Sequence, residues 1–140
     1  MSRVSDPGSN EVERKSLAEV VTNPPVVRQA DVRAVAEAIS GGAALVDVRE
    51  TFEFESGHVD RAVSMPMHLV PLRLDELTRL AAGKPVYVMC HSGNRSWQVC
   101  HYLGQHGIDA VNVAGGVQAW RGSGLPLTQA GDRVSVGGAR

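Results

Sequence analysis

Cysteine is scarce in this chain. Two stand among 140 residues, Cys90 and Cys100. That is too few for a disulfide framework in a domain of this size, so a reducing compartment fits better. An excess of one charge sign is missing as well: 14 basic and 15 acidic residues leave a formal net charge of -1. This excludes a basic field for nucleic acid or for an anionic membrane, and charge-based recognition has to be local. No apolar run approaches the ~20 residues that cross a bilayer. The N-terminal "MSRVSDPGSNEVERKS" has no apolar signal-peptide core. Together these absences point to a cytoplasmic protein without nucleic-acid or membrane partners.

What is present is globular: 43% hydrophobic and 21% charged residues, in a length that suits one domain. Residues 1–25 read as a mobile N-terminal tail, although "EVERKSLAEVV" carries a weak helical apolar set that Pro24 and Pro25 would stop. Residues 128–140 are small and polar and read as a C-terminal tail.

Between them, residues 26–127 alternate. "ADVRAVAEAIS" places Val32, Val35, Ala36 and Ile39 at helical spacing, with Gly41 as its stop. "AALVDV" is a continuous apolar run, as in a strand buried on both faces. A charged helical turn over Glu50 to Ser56 ends at Gly57, and "AVSMP" reads as a short strand. "VPLRLDELTRL" reads as one helix, with Pro71 in its first turn and Leu72, Leu77 and Leu80 on its apolar side. Then come the strand "PVYVM", a helix "SWQVCHYLGQHG", the strand "DAVNV" and a short helix in "GGVQAWRGSG". Such alternation implies an α/β fold with a parallel sheet covered on both faces.

The segment "YVMCHSGNRSWQVC" carries the chemistry. Cys90 ends a buried strand, and a loop of small and polar residues leads into a helix. Sites in such sheets form where strand C-termini meet helix N-termini. Backbone N–H groups of His91, Ser92, Gly93, Asn94, Arg95 and Ser96 can curl into an anion-binding nest, with Gly93 permitting the curl. Asn94 and Ser96 are helix-capping types, and Arg95 and His91 add positive charge. All of this favours a nucleophilic thiolate at Cys90. Cys100, among Trp97, Val99 and Leu103, reads as core. Six residues of helix after Asn94 span roughly 9 Å, so Cys90 and Cys100 are not expected to bridge. His58, His68 and His106 read as structural or exposed. Cys-His occurs twice, but in no standard zinc spacing, so no metal site is expected. Trp97 either walls the pocket or packs in the core.

These motifs, taken in order, resemble the single-domain rhodanese family of sulfurtransferases. "DVRETFEFESGHV" is similar to the family's Asp-x-Arg strand end followed by Glu-aromatic-x-x-Gly-His. "CHSGNRS" resembles its active loop, and "AGGVQAW" followed by "GLP" its closing motif. The resemblance implies a doubly wound, mostly parallel five-stranded sheet with helices on both faces. It implies sulfur transfer from a donor such as thiosulfate, through a Cys90 persulfide, to an acceptor such as cyanide or a thiol, with residues 91–96 binding the substrate. Asp47 and Arg49 would support the loop; on sequence alone they read equally well as a helix cap and a surface ion pair. The partners implied are a small-molecule sulfur donor and acceptor, or a protein thiol as acceptor. No cofactor is implied. Two departures stand out: His91 replaces an Arg frequent in the family, and Asp60-Arg61-Ala62 replaces Pro-Gly-Ala.

Two other readings share the scaffold. A persulfide carrier or regulatory module would act on a protein partner. A phosphatase or arsenate reductase resembles His-Cys-x5-Arg; here Met89 precedes Cys90 and Arg95 comes one position early, which leaves a shorter loop.

Overall fold

The computed structural model describes residues 26–129. The tail and short helix read within residues 1–25, and residues 130–140, lie outside the described residues. In chain order the elements are β1 (Gln29–Ala30), α1 (Val32–Ser40), β2 (Ala44–Asp47), α2 (Thr51–Glu55) and β3 (Val63–Ser64). A 3-10 helix (Met67–Leu72) follows, then α3 (Leu74–Ala81), β4 (Val86–Met89), α4 (Asn94–Gln105), β5 (Ala110–Val113) and α5 (Gly116–Gly122). The sheet order is β1-β5-β4-β2-β3, with every neighbouring pair parallel.

Alternation along the strands divides the core in two. Val46, Val48, Val86, Val88 and Cys90 face one layer, where α4 contributes Val99, Cys100 and Leu103, and α3 contributes Leu77. Leu45, Met89 and Val113 face the other, where Val32, Val35 and Ile39 of α1 meet Val117 and Trp120 of α5. A strand covered on both faces has no reason to alternate apolar with polar residues, which is why β2 reads as an apolar run up to Asp47 and β4 as one throughout. β4 lies between β2 and β5. Cys90 therefore leaves the sheet at the middle of its C-terminal edge.

Two expectations change, and one strand had no sequence signal. The helix expected across "VPLRLDELTRL" is split: a 3-10 helix with Pro71 inside it ends at Leu72, and α3 starts only at Leu74. Proline has no N–H to donate, and its ring clashes with the carbonyl four residues back, so an α-helix cannot run from Met67 through Pro71. The break turns Leu72 outward, 80% exposed, while Leu77 is buried and Leu80 packs on the core. β1 was not apparent as a strand, since two residues show no periodicity. Lastly, Thr128, assigned to the C-terminal tail, pairs with His58 in an antiparallel bridge, with N–H···O distances of 2.8 and 2.7 Å.

Leu77→Ala should cost about 2–5 kcal/mol of stability, read as a lowered urea midpoint, whereas Leu72→Ala should stay within about 0.5 kcal/mol. Equal losses in the two unfolding curves would contradict the split helix.

Candidate active site at the end of the central strand

The loop after β4 turns back on its own cysteine. Gly93 has φ 108° and stands at the start of α4. That left-handed conformation is one a side chain resists, and glycine adopts it freely. Neither Asn94 nor Ser96 caps the helix through its side chain. The curl brings the Gly93 N–H to 3.1 Å and the Ser96 N–H to 3.4 Å from the Cys90 Sγ as donors, and sets the Ser96 hydroxyl oxygen within hydrogen-bond reach at 3.3 Å. The N–H groups of His91, Asn94 and Arg95 make no bond to Sγ, so the cradle is narrower than a ring of all six.

Cys90 is 1% exposed. Burial pushes its thiol up, but the Ser96 hydroxyl and the N–H groups of Ser96, Gly93 and Ser92 outweigh that and hold it below the ordinary thiol range. Cys100 is nearly as buried and has no such donors. Burial, with a smaller contribution from charge on Cys90, pushes it up to about 12. Both cysteines are free thiols.

Arg95 makes no hydrogen bond to the sulfur, and its charge reaches Cys90 only through space. Its two terminal nitrogens grip both carboxylate oxygens of Glu53 on α2, at 2.8 and 3.0 Å. The Arg95 hydrogen bonds hold the Glu53 carboxyl down at about 2, against some desolvation. His91 and Asn94 are exposed. Asp47 and Arg49 form a buried ion pair at 2.8 Å, and Arg49 also donates to the Gly57 carbonyl at 2.8 Å. The pair is therefore neither a surface pair nor the cap of α2, whose capping box is Glu50 with Glu53. Among the described residues neither Asp47 nor Arg49 bonds to the loop. They tie the end of β2 to the turn after α2, and Glu53 carries that position on to Arg95.

From the other side, α5 seals the loop. The N–H groups of Val117 and Gln118 donate to the carbonyls of Cys90 and His91, both at 2.9 Å. Gly116 (φ 56°) makes this approach possible, because a Cβ there would lie 2.3 Å from the Cys90 oxygen. Asn112 on β5 is buried and bonds Ser96, Gly93 and Gln29. Trp97 is half-buried and stacks on His101 with ring centroids 5.7 Å apart. It lines a cleft of about 580 Å³ beside the loop, together with Ser92, Gly93 and Asn94.

Reading the sequence singled out neither Glu53 nor Asn112. Glu53 stood inside a quoted motif without a role. Asn112 had a signal: an amide in the apolar strand "DAVNV" has to be hydrogen-bonded once buried.

The rhodanese-like domain is the family description that matches, over residues 31–123, and the chain belongs to that family. A sulfurtransferase of Allochromatium vinosum is 42% identical over 84 residues, covering 59% of this chain and 76% of that protein. Thiosulfate sulfurtransferase GlpE of Pseudomonas savastanoi pv. phaseolicola is 37% identical over 81 residues, covering 57% and 74%. The crystal structure of a rhodanese-related protein from Thermoplasma volcanium superimposes with a TM-score of 0.63 at 30% identity, covering 72% of this chain and 97% of that one.

Two outcomes test the geometry. Gly116→Ala should push the loop off α5 and slow alkylation of Cys90 by at least about tenfold, the equivalent of 1.4 kcal/mol, since a clash at 2.3 Å with backbone cannot relax cheaply. An unchanged rate would show that the close approach is dispensable. The second concerns pH. A carboxyl held at about 2 when folded, against 4.5 ordinarily, contributes stability above 4.5 and loses it as pH falls toward 2. Glu53→Gln should therefore cost up to about 1 kcal/mol at neutral pH, a partly exposed pair being screened. That cost should vanish as pH approaches 2, as read from urea midpoints of variant and wild type.

Proposed function

We propose that this chain is a sulfurtransferase that carries a sulfane sulfur on Cys90, taken from an anionic donor such as thiosulfate and given to a thiophilic acceptor such as cyanide or a thiol. The observation that carries this reading is the Cys90 sulfur itself, buried at a strand end with two N–H groups and a hydroxyl of its own loop within hydrogen-bond reach. Sulfurtransferase names among the relatives support the reaction class.

The Cys90 thiolate attacks the outer sulfur of thiosulfate. The sulfur–sulfur bond of the donor breaks, its electron pair leaves with sulfite, and Cys90 becomes a persulfide anion. The acceptor then attacks the outer sulfur, and the Cys90–sulfur bond breaks with its pair returning to Sγ. Cyanide leaves as thiocyanate, and the thiolate is restored. No redox partner or metal enters either step. Loop donors contribute by holding negative charge on sulfur in a site shielded from water.

The same geometry disfavours phosphoryl chemistry. An oxyanion of three equatorial oxygens needs a guanidinium aimed into the loop. Arg95 instead spends both terminal nitrogens on Glu53. Four residues separate Cys90 from Arg95, which gives a loop sized for a sulfur atom. With His91 exposed in place of a guanidinium, the donor is held chiefly by backbone N–H groups and the Ser96 hydroxyl. Two free cysteines suit a reducing cytoplasm, and among the described residues no helix is long and apolar enough to cross a membrane.

Intact mass after excess thiosulfate is the test. Wild type should gain one sulfur atom, cyanide should remove it, and Cys90→Ser should gain none. A wild type that stays unloaded while its thiol still alkylates would overturn thiosulfate as donor. Turnover of an aryl phosphate that is lost in Cys90→Ser would overturn sulfur transfer itself.

A further inference from the structure

Ser96 stands between two acceptors. Its Oγ lies 2.5 Å from Asn112 Oδ1 and 3.3 Å from Cys90 Sγ. A hydroxyl has one proton, so it serves one of them at a time. Asn112 decides which. Its Nδ2 faces the Gly93 carbonyl at 3.1 Å. A backbone carbonyl only accepts, so the NH2 group has to point there and Oδ1 has to face Ser96. Oδ1 only accepts too. In the arrangement seen, the Ser96 proton therefore belongs to Asn112, and in the Cys90–Ser96 contact the thiol S–H is the donor.

That arrangement holds only while Cys90 keeps its proton. A thiolate is acceptor-only and draws a charge-assisted hydrogen bond. Ser96 is 0% exposed and Asn112 2%, so bulk water does not stand in for either partner. We infer that Asn112 is a positioning residue that competes with the Cys90 thiolate for the single hydroxyl proton of Ser96, so that ionisation of the sulfur swings that proton from Asn112 Oδ1 to Cys90 Sγ. The Ser96–Asn112 bond breaks, the Ser96–thiolate bond forms, Ser96 stays neutral, and the proton released by the thiol goes to solvent. When the negative charge moves to the outer sulfur of a persulfide, the inner Sγ loses its claim and the hydroxyl returns to Asn112. Asn112 cannot follow the proton, because Nδ2 is held by Gly93 and by Gln29 Oε1 at 3.1 Å.

The other ionisable groups around Cys90 are occupied. On α4, Arg95 is paired with Glu53 of α2, and Cys100 stays a neutral thiol. At the end of β2, Asp47 and Arg49 neutralise each other, and on the loop His91 is exposed. The hydroxyl is the group left free to respond.

The consequence for catalysis rests on Cys90 being the nucleophile, but the test does not need a sulfur donor. The rate of iodoacetamide alkylation at Cys90, located by peptide mass, is followed across the pH range of thiol ionisation. Asn112→Ala should lower the midpoint by about half to one pH unit, the weight of one hydrogen bond. In a Ser96→Ala background the same substitution should shift nothing. A merely loosened loop would do the opposite and raise the midpoint. A raised or unchanged midpoint, or the same shift without Ser96, would overturn the competition. Should Asn112→Ala not fold, the Asn112 side-chain amide resonances serve instead. They should move with the Cys90 titration in wild type and lose that movement in Ser96→Ala; movement that survives there would overturn it. Failure of thiosulfate to load Cys90 would strike the transfer reading alone and leave these outcomes standing.

Discussion

A sulfur sealed from solvent has to be solvated by the chain that seals it. Cys90 is 1% exposed, and burial alone would keep its proton on. The Ser96 hydroxyl and the backbone N–H groups of Ser96, Gly93 and Ser92 reverse that balance. They do so only if the loop is curled tightly enough to aim them inward. A curl of this kind turns its carbonyls outward, and those need partners of their own. The rest of the structure can be understood as meeting these two demands together.

α5 meets the second. Its first N–H groups, from Val117 and Gln118, bond the Cys90 and His91 carbonyls, and only glycine at position 116 lets the two backbones come so near. β5 and α2 meet the first. Asn112 holds the Gly93 carbonyl from one side, while Glu53 holds the Arg95 guanidinium from the other. α2 is itself fixed through Arg49, which joins the end of β2 to the Gly57 carbonyl. Each of these anchors sits at or beyond the C-terminal edge of a parallel strand. The sheet order places β2 and β5 on either side of β4, so the loop is gripped from both flanks.

What could be read from the sequence follows the range of the physics involved. β2 and β4 were legible because a strand buried on both faces is mostly apolar, and α1 because Val32, Val35 and Ile39 recur at helical spacing. The strand–loop–helix at Cys90 was legible because its thiol, its glycine and its polar loop are contiguous. Leu72 was misplaced because Pro71 was taken as a helix starter, although with Met67 four residues behind it the proline acts as a breaker. The missed partners all lie far along the chain: Glu53 meets Arg95 across 42 positions and Asn112 meets Ser96 across 16. The Arg95 nitrogens read as open to the loop because nothing local shows that a distant carboxylate has already claimed them. Trp97 stayed ambiguous because its place beside the loop depends on how α4 sits on the sheet, although its stacking on His101 is a local pair four residues along the helix.

The two cysteines make the point within one molecule. Cys90 and Cys100 share the same apolar layer, at 1% and 4% exposure. One is held below the ordinary thiol range and the other is pushed up to about 12. Residue type and burial are common to both, so neither sets the acidity of the thiol. The difference lies in what the following backbone does. After Cys90 the chain turns through Gly93 and presents its N–H groups to the sulfur. Cys100 lies inside α4, where the backbone N–H groups are already committed to carbonyls one turn back. A helix interior therefore protects a thiol as thoroughly as the start of a helix activates one. A thiol acidified by these donors therefore precedes α4 and does not lie within it.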